Sequence, residues 1–122
     1  MTQFKALAID LDGTLLVGED LSRENRDAVR RAHKAGFSIV IATARWRQMA
    51  LRIANEIGLS SPIIACSGAE VYLPDQQADI FDHRLPDEFT AELYALCNSN
   101  RCIATITVDT DVLLKLDGEP DP

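Results

Sequence analysis

Residues 4–14 read FKALAIDLDGT, and the fold follows from how this stretch changes character halfway along. Phe4 to Ile9 is a short apolar run, and it stops abruptly at Asp10-Leu11-Asp12-Gly13-Thr14. An apolar run of this length bounded by turn residues reads as a buried strand that ends in a loop. Two carboxylates two residues apart at a strand exit, followed by Gly-Thr, are expected by composition on the order of once in a thousand chains of this size.

The same pattern recurs downstream. After a loop holding Gly18, Ser22 stands where a helix N-cap belongs. Ala28, Val29, Ala32 and Ala35 then follow at helical spacing, and Gly36 closes the segment. Phe37 to Ala42 is a second apolar, β-branched run ending on Thr43. From Trp46 the apolar positions Met49, Ala50, Ile53, Ala54 and Ile57 form a one-sided stripe that Gly58 terminates, which reads as a core-packing helix face. Pro62 to Cys66 supplies a third strand. The order β-α-β-α-β predicts an α/β fold, a Rossmann-like parallel sheet with helices on both faces. Ligands of such sheets sit beyond the carboxyl ends of the strands, which places Asp10, Thr43 and Ser67 along one rim.

The pattern changes after Gly68. Glu70–Leu73 and Ala78–Leu85 read as two strands around a Pro-Asp turn, and Pro86–Asn98 reads as a helix with Phe89, Leu93 and Leu96 inward. Residues 101–108 and 112–116 read as a further hairpin. A boundary is therefore expected near Gly68, with residues 1–68 forming the α/β core and residues 69–122 an incomplete second unit in which a helix lies on an antiparallel sheet.

Composition bounds the partners. The 122 residues are 47% hydrophobic and 25% charged with a net charge of −7, so one ordinary globular domain is the default and a second could only be partial. A chain this acidic lacks the cationic face that nucleic acids and anionic membranes require. A phosphorylated substrate stays compatible, because a bound divalent cation would supply positive charge locally. Cys66, Cys97 and Cys102 have no metal-ligand spacing and read as small buried hydrophobes, and no signal peptide or membrane span is visible, so a reducing, cytoplasmic setting is expected. His33 and His83 have no partner at ligand or triad spacing and read as surface residues.

The chemistry concentrates on the Asp-x-Asp loop. A calcium loop also begins Asp-x-Asp, but it requires Gly at its sixth position and Glu at its twelfth; here Gly13 is fourth and Leu21 twelfth. An ionised Asp10 beside a magnesium ion can attack phosphorus, and Asp12 can protonate the leaving oxygen and then take a proton from water. Gly13 permits close approach of backbone N–H groups to phosphoryl oxygens, and Thr43 can donate a hydroxyl from the next strand end. Arg45, and less so Arg47, could bind a substrate phosphate, although Arg near a helix start is also an ordinary solvated residue. Asp10 and Asp12 as mere turn caps, and Thr43 as an ordinary strand-ending Thr, are the plainer readings.

AIDLDGTL at 8–15, IVIATAR at 39–45 and IIACSGAEVY at 63–72 together resemble the haloacid dehalogenase superfamily, in particular its Cof-type (subclass IIB) sugar-phosphatase-like branch. The resemblance runs over essentially the whole chain. It implies Asp10 as nucleophile, Asp12 as general acid and base, and Thr43 as a ligand of the transferred phosphoryl group, with Gly13, Ala44 and Arg45 completing the phosphate-binding set. It implies a Mg2+ ion held by the Asp10 carboxylate and the Asp12 backbone carbonyl, and places Ser67 and Gly68 on the substrate side, at the hinge to a cap domain. Ala44 stands where the family usually has Gly, and Ser67 where it usually has Asn, which bears on substrate preference more than on reaction type. The family's later Lys and acidic pair do not follow here, and Lys115, Asp117, Glu119 and Asp121 lie in a different context. The expectation is the N-terminal portion of a magnesium-dependent phosphomonoester hydrolase acting on a small phosphorylated metabolite. The alternatives are a phosphomutase and a non-catalytic fragment that self-associates, as a homodimer through an exposed core edge.

Overall fold

The computed structural model describes residues 4–100 and 104–115. The chain divides into two compact units, Met1–His83 and Arg84–Pro122. The first contains β1 (Ala6–Ile9), β2 (Leu16–Val17), β3 (Asp20–Leu21), α1 (Arg23–Lys34), β4 (Ser38–Ala42), α2 (Arg47–Ile57), β5 (Ile63–Ala65), β6 (Glu70–Leu73) and β7 (Ala78–Asp82). Its sheet runs β1-β4-β5-β6-β7, parallel through β5 and antiparallel beyond it. The expected α/β class, a sheet dominated by parallel strands with helical crossovers, is what forms.

Both helices lie on one face of the parallel strands, where the sequence pattern suggested one on each. The strand order steps in a single direction, and right-handed crossovers that step the same way deliver their helices to the same side. Alternate strand positions record it: Ile39, Ile41, Ile63 and Ala65 are at most 1% exposed, while Val40, Ala42 and Ile64 on the other face are half-buried. The buried positions join Val29 of α1 and Ala50, Ile53, Ala54 and Ile57 of α2 in one core. Each fully buried Ile contributes about 1.5–3 kcal/mol relative to exposure.

Polar groups fix the helix ends. The Ser22 hydroxyl caps α1 by accepting from the Asn25 N–H at 3.1 Å, as its position in the sequence suggests. The C-terminal carbonyls of α2 accept from Arg30 of α1, Nε to Ile57 at 2.8 Å and Nη2 to Glu56 at 2.9 Å, which locks the two helices together. Gly58 ends α2 in the left-handed region at φ 88°, its N–H donating to Ala54 at 2.8 Å.

The division between the compact units falls after His83, so the strands that follow Gly68 belong to the first of them. Residues 66–68 form a single 3-10 turn that reverses the chain, so β6 pairs antiparallel with β5 and carries β7 onto the same sheet. Side chains fasten this hairpin to the first turn of α2. Arg47 Nη1 lies 2.6 Å from both Glu70 and Asp79, and its guanidinium sits 4.6 Å over the Tyr72 ring.

The second unit contains α3 (Asp87–Ser99) and the hairpin β8 (Ala104–Val108) with β9 (Asp111–Lys115). Phe89 and Leu96, expected inward, are 49% and 59% exposed, and Cys97 is the buried hydrophobe of the helix. A lone two-stranded sheet gives a helix little apolar surface to bury against. Cys66 is half-buried, Cys102 lies outside the described residues, and His33 and His83 are on the surface as expected. No helix among the described residues is long and apolar enough to cross a membrane.

Candidate active site

The loop after β1 alternates between core and solvent. Leu11 and Leu16 are fully buried and Leu15 nearly so, which anchors the loop and turns Asp10 and Asp12 outward at the strand end. Backbone hydrogen bonds close the turn, Leu16 N–H to Leu11 at 2.8 Å and Leu15 N–H to Asp10 at 3.3 Å, and Asn25 donates to the Leu15 carbonyl at 2.9 Å. The turn needs Gly13 at φ 73°, a region that a side chain strains, and open space lies where a Cβ would stand. Because the Gly13 N–H donates to Leu16 at 3.2 Å, the glycine serves this loop through its backbone conformation.

Asp10 is exposed, and one of its carboxylate oxygens accepts from the Thr14 hydroxyl at 3.2 Å. The parallel register Ile9↔Ile41 brings the end of β4, and with it Thr43, beside the Asp10 loop. Thr43 is 5% exposed; its N–H donates to Ile64 at 2.9 Å and its Oγ1 accepts from the Arg45 N–H at 3.1 Å. The hydroxyl proton therefore remains to be donated. Ala44 is exposed and has no positive φ, so this turn accommodates it without strain.

Ser67 and Gly68 reach the same rim, since Ser67 N–H donates to the Thr43 carbonyl at 3.1 Å and Cys66 N–H to Arg45 at 2.9 Å. Cys66, Ser67 and Gly68 are all left-handed, at φ 50°, 57° and 92°. A non-glycine residue in this region, such as Ser67, carries backbone strain. Burial pushes the Cys66 thiol and the Glu70 carboxyl up from their ordinary values, while the Glu70 and Asp79 carboxylates beside Arg47 leave that guanidinium more basic despite the opposing effect of burial.

Arg45 dominates the electrostatics. Nε and Nη2 donate to the two Asp12 oxygens at 2.8 and 2.5 Å, while Nη1 and Nη2 donate to the two Glu19 oxygens at 2.9 and 3.0 Å. These charge-assisted bonds hold both carboxyls below their ordinary values and push the guanidinium up. Glu19, at the tip of the β2–β3 hairpin, had no signal in the sequence: an exposed acid in a loop is ordinary, and only the fold brings it to Arg45. Asn25, which holds the Leu15 carbonyl from α1, had no signal for the same reason.

A hard divalent cation takes oxygen ligands, and the Asp10 carboxylate and Asp12 carbonyl are donors of that kind. Among the described residues, the Asp10 carboxylate accepts from the Thr14 hydroxyl alone, and none of the hydrogen bonds closing the loop uses the Asp12 carbonyl. The donors fit such an ion in part, since no group of three or more His, Cys, Asp or Glu suited to a metal exists among the described residues.

The haloacid dehalogenase-like hydrolase family model matches residues 7–119. A 5-amino-6-(5-phospho-D-ribitylamino)uracil phosphatase of Bacillus subtilis is 39% identical over 82 residues, covering 66% of this chain and 32% of that protein. A phosphoglycolate phosphatase of Pyrobaculum aerophilum is 43% identical over 72 residues, covering 57% of this chain and 31% of its own. The structure of a haloacid dehalogenase-like hydrolase from Bacteroides thetaiotaomicron superposes with a TM-score of 0.84 at 23% identity, over 97% of this chain and 46% of that one. The chain thus spans about a third of the length of these curated relatives. With a family match over nearly its full length and the Asp-Leu-Asp-Gly-Thr loop at the end of its first parallel strand, the chain belongs to the haloacid dehalogenase-like hydrolases, on their Cof-type branch.

Proposed function

We propose that the chain carries the nucleophile end of a magnesium-dependent phosphomonoester hydrolase acting on small, sugar-phosphate-like metabolites. One observation carries the reading: two exposed carboxylates, Asp10 and Asp12, stand at one strand end beside a buried Thr43 hydroxyl and an Arg45 already bonded to Asp12. The relatives' names, which include phosphatases of phosphorylated small molecules, support it.

In this reading the Asp10 carboxylate attacks phosphorus while the bond to the ester oxygen breaks. Asp12, released from Arg45 by the incoming phosphoryl group and carrying a proton, gives that proton to the leaving oxygen, and an aspartyl-phosphate is left on Asp10. Asp12 then takes a proton from water, the water oxygen attacks phosphorus, and phosphate leaves Asp10 regenerated. Thr43 and Arg45 donate to the phosphoryl oxygens, where charge accumulates. Asp10 and the Asp12 carbonyl would hold magnesium, which supplies positive charge opposite the phosphoryl oxygens. Ser67 and Gly68 would stand on the substrate side of the site, at the hinge to a cap that selects the substrate, and the protein would be cytoplasmic.

The test is magnesium-dependent phosphate release from an aryl phosphate. Asp10→Asn should abolish it and Asp12→Asn should lower it by about 10²–10⁴-fold. Turnover that persists in Asp10→Asn would refute the reading. A self-associated form is the second reading, favoured by β1, an edge strand whose Leu7 is 44% exposed beside an apolar hollow lined by Phe4, Ala6, Ala32 and Phe37. Sizing chromatography that gives a monomer at micromolar concentration would dismiss it.

A further inference from the structure

We propose that Glu19 is a positioning residue that makes Arg45 an exchangeable clamp: an incoming phosphoryl group takes the guanidinium edge now held by Asp12, and Glu19 retains the opposite edge. The proposal rests on the reading of Arg45 as a phosphate ligand given above and assigns the residue that steadies it.

The argument is one of donor supply. A guanidinium has five N–H donors and presents two edges that grip an oxyanion in bidentate fashion. Both edges of Arg45 are occupied, Nε with Nη2 by Asp12 and Nη1 with Nη2 by Glu19. An anion can therefore gain a bidentate grip only by displacing one carboxylate. The two edges face different parts of the molecule, since Asp12 belongs to the loop that also carries Asp10, whereas Glu19 belongs to the β2–β3 hairpin. A phosphoryl group within reach of Asp10 meets the first edge.

Displacement there does two things at once. It frees the Asp12 carboxylate, which the resting geometry commits wholly to Arg45, and it would leave the guanidinium with no protein partner if Glu19 were absent. The Arg45 side chain is only 13% exposed while that of Glu19 is 70% exposed, so Glu19 reaches inward from the surface to hold a largely buried cation. A Lys at position 45 could not do this, because an ammonium has no second edge.

The experiment titrates the full chain with inorganic phosphate at fixed magnesium, following the Arg45 Nε–H and the Asp12 and Glu19 side-chain carboxylate carbons by NMR. In the parent chain, phosphate is expected to shift the Arg45 and Asp12 signals and to leave Glu19 in place, a reading that needs no variant to fold. Glu19→Gln is expected to weaken phosphate binding about threefold to fivefold, the range open to an exposed ion pair. In an Arg45→Lys background, adding Glu19→Gln is expected to change nothing. The proposal is overturned if Glu19 shifts while Asp12 does not, if Glu19→Gln binds phosphate as tightly as the parent or more so, or if its loss persists in Arg45→Lys. Phosphate that leaves Arg45 unmoved in the parent overturns both this proposal and the phosphate-ligand reading. Hydrolysis that survives Asp10→Asn, with the Arg45 and Asp12 shifts intact, would remove the proposed reaction and leave the clamp standing.

Discussion

The two compact units treat similar sequence in opposite ways. In Met1–His83 the apolar positions of β4, β5 and α2 are almost fully withdrawn from solvent, with Ile39, Ile41, Ile53 and Ile63 at most 2% exposed. In Arg84–Pro122, Phe89, Leu96 and Leu113 each remain about half exposed. Both regions pattern their apolar residues correctly for their secondary structure. The difference is the number of layers: five strands with two helices enclose a core, whereas two strands and one helix do not. Periodicity is thus enough to make an element and not enough to bury it.

The widest break would come from separating the units. A chain ending at His83 is expected to unfold in one cooperative urea transition followed by circular dichroism, and a chain beginning at Arg84 to show none; a sharp transition in the second would abolish the contrast. Next in size, Ile41→Ala is expected to cost about 2–5 kcal/mol by leaving a cavity, while Leu113→Ala on β9 should stay within about 0.5 kcal/mol. Equal losses would mean that the hairpin buries more than its exposure indicates. Ser22→Ala should cost about 1 kcal/mol through the lost α1 cap, read as a lower urea midpoint with an unchanged slope.

The smallest effects are with pH and sharpen the comparison inside the first unit, between its rim and its interior. Arg45 holds Asp12 and Glu19 below their ordinary 3.8 and 4.5, so their contribution is present above those values and is lost as pH falls through the lower, folded ones. The stability difference between the parent and Arg45→Gln should therefore shrink in acid. Glu70 runs the other way. Burial raises it, so its contribution is present below its ordinary 4.5 and is lost as pH rises through the higher, folded value. Relative to Glu70→Gln, the parent should gain stability as pH falls below neutrality, measured as the urea midpoint.

Much of this was legible residue by residue. The runs Phe4–Ile9, Phe37–Ala42 and Pro62–Cys66 contain the three parallel strands, Ser22 and Gly58 cap the helices their spacing announced, and Asp10 and Asp12 stand exposed at a strand end. Three features were not legible, because each depends on distance rather than order. β6 and β7 extend the first sheet although their alternation suggests a separate one, since the tight turn at residues 66–68 leaves β6 no nearer edge than β5. Both helices share a face because strand order sets the side, and strand order is not written in any one segment. Arg47 looked like a solvated helix-start residue until β6 and β7 brought Glu70 and Asp79 to it.

The sequence by itself determined the longer strands and helices, the family and the pair of carboxylates, since strand, helix and turn chemistry act over a few residues and a five-residue motif states its own spacing. The tertiary structure decided which charges meet. Arg45 lies 33 positions from Asp12 and 26 from Glu19, and only the parallel register of β1 with β4 and the return of the β2–β3 hairpin bring all three within hydrogen-bond reach, where a guanidinium with two edges can hold both.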